Sequence, residues 1–208
     1  MTLALLHTSP VHVPVFDALR DTDHPGLALR HLVHEDLLTR ARKSSPQAVA
    51  GEIRALLAGV VAEGAAAVLC TCSTIGAVAE SAGATLGVPV LRVDRPMAAA
   101  AVGRGRVVVL AALADTLAPT LALLAEEAGE RPFDVRTVVV EGAWARFESG
   151  DRDGYLDLVA AAADAVTDAG VIVLAQASMA DAVTRTATRV PVLSSPRPGL
   201  AAAAAAAR

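Results

Sequence analysis

Residues 88–100 read VPVLRVDRPMAAA, and residues 190–202 read VPVLSSPRPGLAA. Without a gap, Val-Pro-Val-Leu recurs, Arg-Pro follows at the same distance, and an alanine run comes next. Upstream of each copy lies a strand-to-helix passage, VLCTCSTIGAVAE at 68–80 and VLAQASMADAVTR at 173–185. An Ala-rich chain matches itself easily, but the Val-Pro-Val-Leu-x-x-x-Arg-Pro frame is not low complexity. The 208-residue chain therefore reads as two related halves.

Around these passages, short Val/Leu-rich runs alternate with amphipathic or Ala-rich segments. The runs at 2–7, 27–34, 65–71, 88–93, 106–112, 134–141, 170–176 and 190–195 read as strands. Helical periodicity covers 46–63, 74–86, 96–103, 116–129, 153–168, 178–188 and 199–208. Alternation of this kind gives an α/β fold with buried, mostly parallel strands. The expected architecture is two pseudo-symmetric lobes, each a parallel sheet flanked by helices, with an active-site cleft between them. Residues 1–95 with 196–208 form the first lobe and residues 96–195 the second. In parallel sheets ligands bind beyond the carboxyl ends of strands, where both repeated passages put their turn.

Composition narrows the partners. Hydrophobic residues make up 54% of the chain but aromatics only 2%, which suits Val-rich strands covered by Ala-rich helices. A net charge of −4 without any Lys/Arg cluster offers no footprint for nucleic acid, so a small metabolite is the expected partner. No run reaches the roughly 18 apolar residues of a membrane span. The N-terminal MTLALLHTSP lacks a basic leader and runs straight into a strand pattern. Two cysteines, two residues apart, make no disulfide framework, and the chain reads as cytoplasmic.

Those cysteines, Cys70 and Cys72, sit where the first passage turns from strand to helix. Cys70, one step down the strand, reads as a buried small hydrophobe. Cys72 sits at the strand's end, with Ser73 or Thr74 placed to cap the helix. A thiol at a helix N-terminus feels the partial positive charge of unpaired amides, which lowers its pKa, and the same amides cradle a carboxylate. Cys72 is thus placed as a base or nucleophile, inert core being the competing reading. All five histidines lie in the first 34 residues. Cys-x-Cys is not the usual zinc spacing, and His31 and His34 fall on opposite sides of a predicted strand, so no metal site is expected. His7 ends the first strand and is expected to reach the pocket.

These motifs resemble the aspartate/glutamate racemase superfamily, which also holds hydantoin racemases, maleate isomerases and arylmalonate decarboxylases. VLCTCSTIG is similar to its first catalytic cysteine motif, with Cys72 as the cysteine, and VPVLRVDRPMAAAAV to the strand-helix segment that follows. VVVLAALADTLAPT is similar to the strand opening the second half, and VLAQASMAD to the second cysteine motif. The resemblance implies two α/β lobes, no cofactor, commonly a homodimer, and a substrate held by its carboxylate while two thiols exchange protons at its α-carbon. Ser73, Thr74 and Ser178 would bind the carboxylate, Thr116 and Gln176 would line the pocket, and Thr8 and Ser9 would add to it.

The departures matter as much. The family pattern puts Gln176 where the second cysteine stands, whereas the internal repeat puts Ala177 opposite Cys72. Neither is a thiol. Ala112 stands where the family often has a substrate-binding threonine, while Thr116 is kept. Losing one of two positioned proton-transfer groups costs about 3–5 kcal/mol of barrier. A symmetric two-thiol racemisation is therefore not expected. What remains is proton transfer or other one-thiol chemistry by Cys72 at the carbon next to a carboxylate. Decarboxylation, cis-trans isomerisation and carboxylate binding without catalysis are the alternatives.

Overall fold

The computed structural model describes residues 1–208. The chain divides into two compact units, Met1–Val93 with Pro196–Arg208, and Asp94–Ser195. In the first unit the strands are β1 (Thr2–His7), β2 (Ala28–Val33), β3 (Ala65–Cys70) and β4 (Val90–Arg92). They form one parallel sheet in the order β2-β1-β3-β4. The helices between them are α1 (Val13–Asp23), α2 (Glu35–Lys43), α3 (Ala50–Ala62) and α4 (Ser73–Leu86). The second unit holds α5 (Arg95–Ala101), β5 (Val107–Ala111), α6 (Leu117–Ala128), β6 (Val135–Val139), α7 (Ala143–Glu148), α8 (Arg152–Asp164), β7 (Val171–Leu174) and β8 (Val192–Leu193). Its parallel sheet runs β6-β5-β7-β8, the same order shifted by four strands. The last helix, α9 (Pro196–Ala206), belongs to the first unit.

Side-chain alternation explains the layers. On β1, Ala4 and Leu6 pack with Ile53, Leu57, Ile75 and Ala79 of α3 and α4. Leu3 and Leu5 point the other way, towards Phe16 of α1 and Leu200 and Ala203 of α9. With both faces covered, the central strands are continuous apolar runs. In the second unit, Val108 and Leu110 face Tyr155 and Val159 of α8. Val107, Val109 and Ala111 face Leu123 and Leu124 of α6 together with Met97 and Ala98 of α5. The repeated Arg-Pro frame thus marks a crossing: α5 follows β4 in sequence but packs in the second unit, and α9 follows β8 but packs in the first. Pro96 lies in the first turn of α5 and Pro198 in that of α9, where a missing N–H costs nothing.

Three helices go beyond the sequence expectation. α1 buries a single residue completely, Phe16; α2 buries just Leu37 and Ala41; α7 is six residues long. Such sparse apolar spacing leaves little periodicity to read. The expected helix 178–188 is instead a 3-10 segment, Ala177–Arg185, burying Met179 and Ala182. Their three-residue spacing matches the 3-10 pitch. The expected helix 46–63 opens with a 3-10 turn, Pro46–Val49, before α3 begins. Pro89 and Pro191, lacking an N–H, hold β4 and β8 to three and two residues. No helix is long and apolar enough to cross a membrane.

Candidate active site

β3 ends at Cys70, whose side chain is wholly buried between the sheet and α3 and α4. Its thiol points at the Cys72 carbonyl, 3.6 Å away. Cys70 is a core residue. Cys72 is half-buried and extended, at φ −111° and ψ 118°, and is itself the N-cap of α4. The expected caps, Ser73 and Thr74, are already inside the first turn. No side chain bonds the amides of that turn from the cap position. Ser73 and Thr74 are partly exposed beside Cys72, and Thr8 and Ser9 follow β1, the adjacent parallel strand. Parallel pairing brings these five residues to the same end of one sheet. Thr8 is mostly covered, while Ser9 is partly exposed ahead of the 3-10 turn Pro10–His12.

Strand register settles which residue of the second unit corresponds to Cys72. In the first unit Leu6 pairs with Cys70, and the Thr71 N–H donates to the Leu6 carbonyl at 3.0 Å. In the second, Leu110 pairs with Leu174, and the Ala175 N–H donates to the Leu110 carbonyl at 2.9 Å. Ala175 therefore matches Thr71, and Gln176 matches Cys72. Gln176 is likewise extended, at φ −119° and ψ 138°, and is the N-cap of the 3-10 segment. The repeat alignment that put Ala177 opposite Cys72 is off by one residue. The slip arises because the repeat sets Val68-Leu69 against Val173-Leu174, whereas the register sets them against Ile172-Val173.

The Gln176 Oε1 accepts the Ala112 N–H at 2.6 Å, which leaves its amide NH2 as the group it can present. Ser178, two residues on, shares a 2.8 Å hydrogen bond with the Tyr155 hydroxyl. Burial pushes the Tyr155 phenol up to about 12, against a smaller opposing pull from Ser178 and Arg152. Thr116 is buried at the start of α6, where its carbonyl accepts the Thr120 hydroxyl at 2.8 Å. Thr116 follows β5 while Gln176 and Ser178 follow β7, a neighbouring strand.

His7 is completely buried. Its Nδ1 lies 2.8 Å from the Thr71 hydroxyl and its Nε2 lies 2.8 Å from Nδ1 of His31. His31 in turn places Nε2 at 3.3 Å from an Asp17 carboxylate oxygen. Burial, then the neighbouring His31 and His12, lowers the His7 pKa to about 3, so the ring is neutral at physiological pH. Burial also lowers His12 to about 4. Asp17 and Thr71 escaped the sequence reading, and His12 and His31 were weighed there only as metal ligands; the available signal was the crowding of every histidine into the first 34 residues. No group of three or more His, Cys, Asp or Glu side chains is arranged to hold a metal ion.

The fold, two parallel four-stranded sheets with matching order, is similar to that of solved structures of an Asp/Glu racemase and of arylmalonate decarboxylase. A candidate Asp/Glu racemase from Yersinia pestis aligns at a TM-score of 0.71 with 17% identity, covering 99% of this chain and 98% of that one. Arylmalonate decarboxylase aligns at 0.67 with 21% identity, covering 100% of this chain and 93% of the other. Glutamate racemase from Thermus thermophilus, in complex with β-chloro-D-alanine, aligns at 0.70 with 19% identity, covering 99% and 79%. At these identities the likeness is one of fold. No protein-family model and no curated protein sequence matches the chain.

Proposed function

We propose that the protein is an enzyme of the Asp/Glu racemase superfamily that moves a proton, through Cys72 and without a cofactor, at the carbon next to a small substrate's carboxylate. The observation that carries this reading is Cys72 itself: a half-buried free thiol on the extended residue that opens α4 at the end of a central parallel strand. On this reading Ser73, Thr74, Thr8 and Ser9, at the same sheet end as Cys72, supply the polar groups to hold a carboxylate, and Thr116, Gln176 and Ser178 are the candidates at the corresponding end of the second sheet. First-turn amides attract such an anion. The partner on this reading is a small carboxylic acid rather than nucleic acid or membrane, the compartment the cytoplasm, and the assembly a homodimer.

Cys72 acts alone. The residue matching it in the second unit is Gln176, whose amide donates hydrogen bonds but does not carry protons near neutral pH. This favours a reaction needing one proton-transfer group over one needing two. Decarboxylation of a malonate-type acid is the specific second reading. There the bond to the departing carboxyl breaks, its electron pair stays on the α-carbon, carbon dioxide leaves, and the Cys72 thiol delivers the proton. Cis-trans isomerisation by thiol addition to a double bond, and carboxylate binding without turnover, stand behind it.

Incubating a panel of small carboxylic acids with the protein in deuterated water separates these. Deuterium entering the α-carbon without carbon dioxide release marks racemase-type transfer, and carbon dioxide release marks decarboxylation. Cys72→Ser lowers either rate by about 10²–10⁴-fold. Full activity in Cys72→Ser refutes the assignment of Cys72, and a panel that binds without turnover leaves the non-catalytic reading.

A further inference from the structure

The end of the first sheet carries a chain of polar groups that has no counterpart in the second. From solvent inwards it runs Asp17 on α1, His31 on β2, His7 on β1 and Thr71 after β3, with links of 3.3, 2.8 and 2.8 Å. Register pairs give the equivalent residues of the second unit: Ala111 for His7, Thr137 for His31 and Ala175 for Thr71. Ala111 and Ala175 are buried. The fold therefore closes this end of a sheet with small side chains, and burying imidazoles here is a cost that closure does not require. The chain of groups occurs on the unit that carries the cysteine, and it ends on the residue peptide-bonded to Cys72.

Hydrogen-bond bookkeeping gives the chain a direction. A carboxylate only accepts, so the His31 Nε2–H donates to Asp17. The Nδ1 of a neutral His31 must then accept from the His7 Nε2–H. His7, neutral, has only its bare Nδ1 left for Thr71, so the Thr71 hydroxyl donates to it. That hydroxyl has a second acceptor in the Leu6 carbonyl at 3.2 Å, which also takes the Thr71 N–H, and its single proton can serve only one of the two at a time. A second proton on half-buried His31 reverses every link. His31 then donates to His7 Nε2, His7 donates from Nδ1, and the Thr71 hydroxyl must turn to Leu6. His7 moves its proton from one nitrogen to the other without becoming charged.

We propose that Asp17, His31, His7 and Thr71 form a positioning relay for Cys72, in which the protonation of His31 at the surface sets the hydrogen bond made by Thr71 and with it the turn holding the thiol. The proposal rests on the reading of Cys72 as the reactive group. None of the four touches the reacting atoms; each acts through its neighbour. Facing the relay are Asp17, which also receives Arg20 at 3.3 Å, and His12, whose ring centroid is 6.3 Å from that of His7. Arg20 bonds Asp21 as well. Burial keeps His12 neutral, so it adds no charge against His31.

Ring-nitrogen NMR of the full ¹⁵N-labelled chain reads the relay directly. At neutral pH His7 carries its proton on Nε2; as acidification protonates His31, the His7 proton moves to Nδ1 while the ring stays neutral. The rate at which iodoacetamide alkylates Cys72, followed by mass spectrometry of its peptide, reads the consequence. Thr71→Val and Asp17→Asn each change that rate by about three- to tenfold, the worth of one net hydrogen bond, and Thr71→Ser restores it. A His7 proton on Nδ1 at neutral pH, or a tautomer indifferent to His31, overturns the relay. So do Thr71→Val and Asp17→Asn proteins that fold and alkylate at the wild-type rate. Should Thr71→Val fail to fold, Asp17→Asn, at a part-exposed site, and the wild-type spectra still decide. Neither readout uses a substrate, so failure of the proposed reaction, a Cys72→Ser protein with full turnover, is told apart from failure of the hydrogen-bond chain itself.

Discussion

Gly199 and Gly59 both lie inside helices, yet the same change to alanine is expected to act on them with opposite sign. A Cβ at Gly199 would sit 2.5 Å from the Val93 carbonyl oxygen, 2.7 Å from its Cγ2 and 3.0 Å from its Cα. Two of these are backbone atoms at the end of the sheet, and ordinary contacts need roughly 3.5–4.0 Å between carbons. α9 must therefore back away from β4, loosening Leu200 and Ala203 from the core they share with Leu3, Leu5 and Phe16. Overpacking of this kind costs about 1–3 kcal/mol, against a gain of up to about 1 kcal/mol from replacing a helical glycine. The net loss is about 1–2 kcal/mol, a fall in melting temperature of roughly 2–8 °C for a chain of this size. At Gly59, on the exposed side of α3, a Cβ meets nothing within 4 Å. Gly59→Ala then keeps the propensity gain, up to about 1 kcal/mol. Thermal melts followed by circular dichroism, with urea midpoints beside them, measure both. A Gly199→Ala protein that melts at or above the wild type, alongside a stabilised Gly59→Ala, would refute the close docking of α9.

Tyr155 is the chain's single tyrosine, so an absorbance titration reports it alone: its phenol titrates near 12 in the folded protein and near 10.0 once unfolded. The raised folded pKa contributes stability that is complete below pH 10.0 and drains away as pH rises towards 12, about 3 kcal/mol in all. A folded-state midpoint near 10.0 would show the phenol in water. His7 works at the other end of the scale. Its folded pKa, about 3, lies below the unfolded 6.5, so the unfolded chain binds the extra proton between them and stability falls as pH drops below 6.5. By about pH 4 this is on the order of 3 kcal/mol, and His7→Asn should flatten that slope in pH-dependent urea melts. Gln176→Cys places a thiol at the position matching Cys72. On the proposed reading it adds deuterium exchange at the α-carbon of substrates that wild type leaves unexchanged, and mass spectrometry of recovered acids shows no gain if the match is wrong.

Much of the fold was legible because its signals are dense. Val-rich strands buried on both faces produce unbroken apolar runs, and the Val-Pro-Val-Leu frame exposes the repeat to a plain reading. The short helices α1, α2 and α7 were illegible for the converse reason: one, two and one fully buried residues set no period. At the site, Cys72 and Cys70 separated by position alone, one at a strand's end and one within it. The cap of α4 did not, because Ser73 and Thr74 are better capping types than cysteine; where the strand lets go is decided by the Thr71 N–H on Leu6, a contact across 65 residues of sequence. The partners of His7 were illegible for a related reason: His31 and Thr71 reach its ring nitrogens from other strands, across 24 and 64 residues of sequence.

The asymmetry of the two units is where their likeness becomes informative. They share strand order, register and the extended residue that opens the segment after the third strand, so each polar difference at the loop ends stands against an unchanged frame. In the first unit that residue is a thiol, and the positions beneath it are a threonine and two histidines. In the second it is a glutamine whose carbonyl is bound to the Ala112 N–H at 2.6 Å, above two alanines and a threonine. Gln176 is thus held by one hydrogen bond to a fixed backbone atom and offers hydrogens that do not leave. On the proposed reading Cys72 offers one that does, on a turn joined through Thr71 and His7 to half-buried His31. A group that only donates hydrogen bonds needs a rigid mount; a group that gives and takes protons gains from surroundings whose polarity can reverse. On the proposed reading, that division between a fixed donor and a mobile proton favours one-thiol chemistry over a two-thiol racemisation.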